Sequence, residues 1–476
     1  MTTQEIAVNY VYLLAAMLFI VGLKMLSNVK SAPRGNMVSA FGMLLATAAT
    51  LFFITGATAI SLVWIGIALA IGAMTGLYLA LKTPMTNMPQ MVALLNGFGG
   101  IASLLVASGD YLNKTDHQLG ETQGYVLFTT GLAVLIGGVT FTGSLIAFGK
   151  LQGLKITPGR PIQFPGQKPL IGLLVLLGIL LSIMLIEQPS AGWMIGLSVA
   201  ASLMLGVLLV IGIGGADMPV VISLLNSYSG LAAAMAGFVL NNNALIITGS
   251  LVGASGIILT NIMCKAMNRS LANVLFGGVG FEATTSGPTL AVAGGHGGGS
   301  VRELSTEDAA IQLEAAGLVI VVPGYGMAVA QAQHGVAELA QALENRGITV
   351  KYAIHPVAGR MPGHMNVLLA EANVPYEQLC DLETINPEFE QAGVALVIGA
   401  NDVTNPAARH AKDSPIYGMP ILDVDKARSV IVIKRSLNPG FAGIENELYF
   451  HPSCGMLFGD GKTMVNALVA ELNETA

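Results

Sequence analysis

Long apolar runs occupy most of the first 270 residues and restrict what this chain can fold into. Nine of them reach about 18–25 residues with few charges, which is the length that a helix needs to cross a bilayer. They lie near residues 6–26, 37–55, 59–81, 90–108, 124–148, 169–186, 191–212, 219–240 and 244–264. Because a backbone crosses hydrocarbon only with its polar groups bonded internally, these runs predict a membrane domain of nine transmembrane helices over residues 1–270.

The charged residues are few and unevenly placed. Hydrophobic residues make up 53% of the chain and charged residues only 11%. If the predicted spans alternate in direction, one set of connecting segments holds ten basic residues and the other only Lys114. Basic loops face the cytoplasm, so we expect the N-terminus outside and everything after residue 265 inside. Most acidic residues follow residue 270, and this acidic C-terminal half argues against nucleic acid as a partner.

One segment of the membrane half occurs twice. Residues 88–102 begin with Met-Pro and continue with Leu-Leu-Asn, and the same pattern returns at residues 218–232. The proline suits the first turn of a helix, and Asn96 or Asn226 follows about two turns later. An asparagine inside a span is costly unless it meets water or a polar partner, so the repeat predicts a shared polar path. The alternative is that each asparagine joins neighbouring helices by a hydrogen bond.

The last predicted span is rich in small residues. Gly249, Gly253 and Gly256 recur at helical spacing, with Ser255 among them. Small residues at this spacing form a flat face for close helix packing. A helix packed in this way, and leading into the C-terminal half, is also placed to transmit movement.

Glycine-rich sequence separates the membrane half from a different kind of domain. By composition, residues 271–300 are a flexible tether, and residues 301–476 then alternate short β-branched runs with helical patterns. Strands are expected at residues 317–322, 349–354, 394–399, 419–424 and 430–434. The alternation predicts a Rossmann-like α/β domain with a doubly wound parallel sheet, following the multi-span α-helical domain.

The first of these strands leads into a glycine-containing turn. Gly324, Gly326 and Val329 follow the run 318–323 and open an Ala-rich helical pattern. This arrangement is typical of a dinucleotide-binding motif, although Val329 replaces the third small residue. The position of the turn between a strand and a helix predicts a dinucleotide site there.

Two other strand ends indicate the phosphorylated cofactor. NAD-specific sites usually carry an acid after the second strand, on the ribose 2′-hydroxyl. Here that strand ends at His355, with Arg360 soon after. Another strand runs directly into Lys434, Arg435 and Ser436, two cations and a hydroxyl that suit a 2′-phosphate. A solvated basic pair is the alternative.

A third strand end carries an acid. Gly399, Ala400, Asn401 and Asp402 fall at the edge where such sheets bind ligands. A carboxylate there could sense protonation if it is partly buried. The alternative is a helix cap, since Pro406 follows.

Four blocks of sequence carry a resemblance to a known family: residues 264–270, 323–331, 354–371 and 399–402. The chain resembles the beta subunit of proton-translocating NAD(P) transhydrogenase over nearly its whole length. The resemblance implies that this chain binds NADP(H), that a separate alpha subunit of one or two chains binds NAD(H), and that hydride transfer between them is coupled to proton flow. It also implies a dimer of alpha–beta units in a bacterial inner membrane.

The resemblance assigns roles to particular residues. Those implied to line NADP(H) are Tyr325, Val357, Ala358, Gly359, Arg360, Met361, Pro362, Gly399, Ala400, Asn401, Asp402, Val403, the segment from Lys434 to Phe441, which includes Arg435 and Ser436, and Asp460 and Gly461. Arg360 would meet the pyrophosphate, and Lys434, Arg435 and Ser436 the 2′-phosphate. Asp402 would lie near the interface with the NAD domain and is the candidate for coupling protonation to cofactor release. Asp217 and Asn226 match polar positions of the proton path, and the glycines of the last span match its packing face.

Two positions depart from the family's pattern. Many members have a histidine, which titrates near neutral pH, where this chain has Asn96. None of the seven histidines lies within a predicted span. The protonatable group is therefore expected on the partner's helices or as a carboxylate at the membrane surface. A lid tyrosine common in the family is Phe441 here, which keeps the ring and loses one hydroxyl contact.

Two other classes of protein combine membrane spans with a nucleotide domain. A transporter or channel gated by a cytoplasmic nucleotide domain would show no redox turnover with any partner. A membrane reductase passing electrons to quinone or haem would need paired intramembrane histidines, a flavin or an iron–sulfur site. The three cysteines, Cys264, Cys380 and Cys454, are far apart and indicate no disulfide, metal or iron–sulfur site.

Overall fold

Membrane-length helices make up the first part of the chain. The computed structural model describes residues 3–474 except for 27–30, 53–57, 158, 160, 269, 272–273, 275–300, 362 and 441. Among these residues, nine helices are long and apolar enough to cross a membrane, which confirms the predicted spans. They are α1 (Thr3–Leu26), α2 (Ala32–Phe52), α3 (Ala59–Lys82), α4 (Met88–Asn113), α6 (Gly124–Gln152), α7 (Gln167–Glu187), α8 (Trp193–Ile211), α9 (Met218–Val239) and α10 (Asn243–Ala266), with the short α5 (Asp116–Glu121) after α4.

The sequence repeat is also a structural repeat. A 3₁₀ turn, Met85–Asn87, precedes α4, and a second one, Gly215–Asp217, precedes α9. Pro89 lies in the first turn of α4, where its missing N–H would have had no helical partner in any case. Each copy is therefore a tight turn followed by a proline-initiated helix.

Glycines let both repeated helices approach a neighbour closely. A Cβ added to Gly100 of α4 would lie 2.7 Å from the carbonyl oxygen of Gly137 in α6. A Cβ added to Gly230 of α9, the repeat equivalent, would lie 2.9 Å from the carbonyl oxygen of Gly249 in α10. Small residues at both positions allow backbone-to-backbone packing, which is how helices associate without a hydrophobic driving force.

The two repeated helices also contact each other. Asn96 donates from Nδ2 to the carbonyl oxygen of Ile222 at 3.3 Å. Further along, a Cβ on Gly99 would lie 2.4 Å from the Oγ of Ser229, its repeat equivalent. Equivalent faces of α4 and α9 therefore meet.

A parallel sheet organises the C-terminal part. Its strands are β1 (Leu318–Pro323), β2 (Thr349–Ile354), β3 (Leu379–Asp381), β4 (Val394–Ile398), β5 (Ser429–Lys434) and β6 (Cys454–Phe458). The order across the sheet is β3-β2-β1-β4-β5-β6, and every neighbouring pair is parallel. This is the doubly wound arrangement that the alternation of strands and helices predicts.

Helices flank this sheet. They are α11 (Thr306–Glu314), α12 (Tyr325–Ala330), α13 (Gln333–Glu344), α14 (His364–Glu371), α15 (Leu382–Ile385), α16 (Ala407–His410) and α17 (Gly461–Glu474). All residues of β4 are buried, and so are all but the first of β1. Burial on both faces explains why these strands are continuous apolar runs instead of alternating ones.

The strand expected at residues 419–424 is wrong. Its apolar residues, including Leu422, are buried. However, the backbone of this segment bonds to a side chain instead of a neighbouring strand: Asn386 donates from Nδ2 to the carbonyl oxygen of Ile421 and accepts the Asp423 N–H on Oδ1. The short β3 and the edge strand β6 were not predicted. An apolar run alone does not distinguish a strand from a buried loop whose backbone bonds to side chains.

Some expectations lie outside the described residues. They concern nearly all of the tether at residues 271–300, together with Pro362 and Phe441. By its internal contacts the chain forms two compact units, one dominated by the membrane helices and the other by the sheet.

Candidate functional site

The sheet has one point where its winding reverses. From β1 the chain moves to β2 on one side, and the later β4 lies on the other side of β1. Crossovers leaving in opposite directions open a crevice beyond the carboxyl ends of these two strands, and open α/β sheets bind ligands there.

Main chain alone forms the floor of this crevice. Gly324 donates its N–H to the carbonyl oxygen of Ile398 at 2.9 Å, and Gly326 donates its N–H to that of Gly399 at 2.9 Å. A Cβ on Gly324 would lie 2.3 Å from the backbone nitrogen of Ala400, and one on Gly326 would lie 2.6 Å from the Cα of Gly399. The fingerprint glycines therefore bring the turns after β1 and β4 into direct contact.

The crevice brings together most of the predicted binding residues. Within the α/β domain its lining consists of Gly324, Tyr325, Gly326, Val357, Ala358, Gly359, Arg360, Gly399, Ala400, Asn401, Asp402, Val403, Pro415, Ile416, Met419, Lys434, Arg435, Pro439, Gly440 and Ala442. Predicted residues that the structure describes outside this lining are Val329, Met361, Ser436, Asp460 and Gly461. Val329 is 46% exposed on α12, and Asp460 accepts the Lys462 N–H at the start of α17.

On the β2 side, a cation and two rings form a closed group. The guanidinium of Arg360 lies 4.4 Å from the centroid of the Tyr325 ring. That ring is 6.2 Å from the ring of His364, whose Nδ1 accepts the Arg360 N–H at 3.0 Å. Gly359 has a φ of +107°, and a Cβ there would lie 2.6 Å from the Cβ of His364. The turn before α14 therefore requires glycine at this position and presents Arg360 to the crevice.

Two buried histidines support this turn from beneath. His355 accepts the Val357 N–H on Nδ1 at 3.2 Å, and its Nε2 bonds the carbonyl oxygen of Pro420 at 2.8 Å. His364 is fully buried. Burial lowers the pKa of each histidine to about 4, so both rings are neutral at physiological pH. A neutral ring is needed because each Nδ1 acts as an acceptor.

On the β5 side, two cations border the crevice. Lys434 donates from Nζ to the carbonyl oxygen of Asn438, and the same Nζ lies 5.0 Å from the centroid of the buried Tyr449 ring. Burial lowers the pKa of Lys434, and the carboxylate of Asp402 acts in the opposite direction. Arg435 is exposed beside it. Both walls of the crevice therefore carry positive charge.

Asp402 connects the end of β4 to the segment after β5. Its Oδ2 accepts the Ala442 N–H at 3.0 Å, and a Cβ on Gly440 would lie 2.6 Å from its Oδ1. The residue lies at the start of a 3₁₀ turn, Asp402–Thr404. Its carboxylate thus meets the 434–442 segment, which is a different contact from the helix cap considered as the alternative.

A buried polar network lies behind the β4 and β5 ends. Tyr449 donates from its hydroxyl to the Oδ1 of Asn401 at 2.9 Å. Asn446 donates from Nδ2 to the carbonyl oxygen of Asn401 at 3.0 Å and to the Oγ1 of Thr404 at 3.2 Å. Asn405 donates from Nδ2 to the carbonyl oxygen of Glu445 at 2.9 Å. These bonds join two loops that are about 40 residues apart in sequence.

Several residues of this site were not predicted from the sequence. His364, Asn446 and Tyr449 were not singled out, and neither was the lining residue Ala442. Pro439 and Gly440, which line the crevice, fall within the segment that the resemblance assigned to the cofactor. Tyr449 gave no local signal.

The membrane residues singled out from the sequence lie in different surroundings. Asn96 is only 7% exposed, whereas Asn226 is half-buried. Asp217 ends the 3₁₀ turn before α9. On α10, the carbonyl oxygen of Gly253 accepts from the Oγ of Ser227 at 2.5 Å.

The other small residues of α10 divide between two faces. A Cβ on Gly256 would lie 2.8 Å from the Cβ of Ser227, so Gly256 packs against α9. Ser255 is exposed and bonds within its own helix, to the carbonyl oxygen of Val252. The glycines, not the serine, form the packing face.

These features define a multi-pass membrane protein that carries a Rossmann-like domain with a glycine-floored, basic-walled crevice. The family described as NAD(P) transhydrogenase beta subunit matches residues 8–471. Two relatives from Rhodospirillum rubrum, each named NAD(P) transhydrogenase subunit beta, are 51% identical over 465 residues, which cover 97% of this chain and 98% of theirs. The chain belongs to the family of NAD(P) transhydrogenase beta subunits, as the sequence resemblance indicated, and is thus part of an oxidoreductase.

Proposed function

We propose that the crevice binds NADP(H). The 2′-phosphate would contact Lys434 and Arg435, and the pyrophosphate would lie over the turn at Gly324, beside Arg360. The residues present fit this group. The glycines let the turns after β1 and β4 meet as a floor of main chain, and the walls supply cations for an anionic ligand.

The order of the strand ends supports one direction for such a cofactor. The 2′-phosphate belongs to the adenosine half, and the proposed cations for it follow β5. The proposed pyrophosphate site is at β1, two strands away across the sheet. The nicotinamide half would therefore extend from β1 toward the β2 side, where Tyr325, Gly359 and Arg360 line the crevice.

The proposed reaction needs little acid–base chemistry from this chain. When bound, the nicotinamide supplies the hydride chemistry, and the protein supplies position and exclusion of water. Hydride would pass directly to or from NAD(H) held by a separate alpha subunit. Asp402 is the candidate for coupling, since its carboxylate connects the end of β4 to the segment carrying the 2′-phosphate cations.

We also propose where the protein resides. It would be a bacterial inner-membrane protein with its N-terminus outside and its α/β domain in the cytoplasm, in a dimer of alpha–beta units. The excess of basic residues in one set of connecting segments supports this orientation. Labelling of introduced cysteines in intact cells, one before α1 and one after α17, would reveal the orientation directly.

One observation carries the proposed cofactor: the two cations at the end of β5, Lys434 and Arg435, border the crevice. We expect the purified full-length chain to bind NADPH far more tightly than NADH, measured by calorimetry in detergent. Substituting both Lys434→Ala and Arg435→Ala should remove most of this preference, since each charge-assisted contact contributes about 1.5–3 kcal/mol. The control is Lys412→Ala, an exposed lysine outside the lining. Equal affinity of the unmodified chain for the two cofactors would refute the assignment.

A further inference from the structure

We infer that Tyr449 is a positioning residue for the bound cofactor. It holds the Asn401 amide so that Nδ2 donates into the crevice, and its ring supports the ammonium of Lys434 beside that amide. Tyr449 itself is outside the lining and acts only through these two neighbours. The inference rests on the proposed function and adds to it the residue that sets the geometry at the adenosine end.

The first observation is the amide of Asn401. Its Oδ1 accepts from the hydroxyl of Tyr449 at 2.9 Å, which leaves the Nδ2 end directed elsewhere. That Nδ2 is buried and has no hydrogen-bond partner among the described residues, yet Asn401 lines the crevice. A Cβ on Gly440 would lie 2.9 Å from Nδ2, so the donor faces the segment that follows the two cations. A buried donor without a partner calls for an acceptor, and a ribose or phosphate oxygen supplies one.

The second observation is that the backbone of Asn401 is held in place. The residue has φ −141° and ψ −85°, a sparsely populated conformation. Its carbonyl oxygen accepts from Asn446 and from the Thr404 N–H, each at 3.0 Å. With the backbone held in this way, the remaining freedom of the side chain is rotation of the amide. The Tyr449 hydroxyl restricts that rotation.

The third observation is the contact between the ammonium of Lys434 and the ring of Tyr449. Its Nζ lies 5.0 Å from the centroid of the Tyr449 ring, within the range of a cation–π contact. The ring is only 2% exposed, so it is a rigid support. Burial also raises the pKa of Tyr449, which keeps the hydroxyl protonated as a donor at physiological pH. One buried residue therefore orients two donors, an amide and an ammonium, at the same end of the crevice.

The test separates the hydroxyl from the ring in the full-length chain in detergent, by titration of NADPH fluorescence. Tyr449→Phe removes the hydroxyl and should weaken NADPH binding about fivefold, the equivalent of one neutral hydrogen bond, while the preference for NADPH over NADH persists. Tyr449→Leu also removes the aromatic ring beneath the ammonium of Lys434, so the preference for NADPH over NADH should fall. Tyr352→Phe is the matched control, since Tyr352 is buried in the same domain and its hydroxyl has no partner among the described residues.

A double-mutant cycle distinguishes positioning from a general structural effect. Asn401→Ala should weaken NADPH binding, and Tyr449→Phe should cause no further loss in that background. An equal loss in both backgrounds, or a Tyr449→Phe chain that binds NADPH as tightly as the unmodified one, overturns the inference. If the unmodified chain binds no NADPH, it is the proposed function that fails.

Discussion

At the residue scale, the carboxylate of Asp402 lies where a change of charge alters a contact between two loops. Its Oδ2 accepts the Ala442 N–H at 3.0 Å, and it favours the charged form of Lys434. In Asp402→Asn the amide oxygen can still accept that N–H, but the charge is lost. We therefore expect hydride transfer by the assembled enzyme to slow at least tenfold, while NADP(H) affinity of the chain changes less.

Rates of transhydrogenation across pH, compared with calorimetry of the same variant, check this expectation. Asp413→Asn, at an exposed acid outside the lining, serves as the control. If turnover and its pH profile are unchanged in Asp402→Asn, the carboxylate has only a structural role, as the acceptor of the Ala442 N–H.

The two buried histidines predict acid sensitivity of the α/β domain. The pKa of His355 and of His364 is lowered to about 4, whereas an unfolded histidine titrates near 6.5. The unfolded state therefore binds more protons between these values, and the free energy of unfolding falls as pH drops from about 6.5 toward 4. The loss is up to about 1.4 kcal/mol per pH unit for each histidine.

Hydrogen exchange of the strand amides, corrected for the pH dependence of intrinsic exchange, reports this free energy. His364→Gln should remove about half of the pH dependence, at some cost in stability. His334→Gln should leave it unchanged, because His334 is exposed on α13. A pH dependence that persists in full in His364→Gln would contradict this account.

Several site residues were accessible to prediction, and others were not. Residues directly after a strand, such as Gly324, Asp402 and Lys434, could be found because parallel strands all end at one edge of the sheet. Tyr449 could not, since it acts on a residue 48 positions away and no local pattern requires it. Val329 was assigned from its place in a motif, yet that position lies on the exposed face of α12.

At the element scale, the close packing of the repeated helices predicts that a larger residue at their contact glycines lowers stability. Gly100→Val and Gly230→Val would each place a side chain against the backbone of a neighbouring helix. Such overpacking costs typically about 1–3 kcal/mol, so both variants should unfold at lower temperature in detergent. Gly76→Val is the control, because a Cβ at this position of α3 meets nothing within 4 Å. Equal melting of all three variants would argue against close packing of the repeated pairs.

The repeated asparagines remain a prediction about proton flow. The bond from Asn96 to the carbonyl oxygen of Ile222 fits a hydrogen bond between helices, and Asn226 is half-buried. If the two line one polar path, Asn96→Leu and Asn226→Leu should each reduce proton pumping and coupled hydride transfer in vesicles, with NADP(H) affinity intact. Asn96→His should be tolerated and shift the pH optimum toward its own pKa of about 6.5. If the two leucine variants assemble and pump protons normally, the asparagines only join neighbouring helices and do not line a proton path.

Helices of this chain were easier to predict than strands. A span must satisfy its own backbone in lipid, so its length and composition are visible in the sequence. A strand is satisfied by its neighbours, and the same apolar run can be a loop when a side chain such as Asn386 bonds its backbone. The short β3 carries too few residues for any period to show.

At the scale of the whole molecule, the chain is expected to be competent in binding and incompetent in turnover. The proposed site holds one cofactor, and the hydride acceptor would belong to another subunit. The purified chain should therefore bind NADPH yet reduce no NAD⁺ analogue until an alpha subunit is added. Absorbance of the reduced analogue, followed before and after that addition, provides the measurement. Turnover by the chain alone would require a second nucleotide site within it.

The glycine contact between the turns after β1 and β4 has a consequence for how cofactor choice can change. Gly324, Gly326 and Gly399 present only peptide groups, and any side chain added there collides with the opposite backbone. Neither evolution nor protein engineering can therefore introduce a side chain on the floor of the crevice. A change in cofactor selectivity therefore requires substitutions in the walls, at positions such as Lys434 and Arg435. The floor contacts every nucleotide through the same peptide groups and cannot discriminate between them.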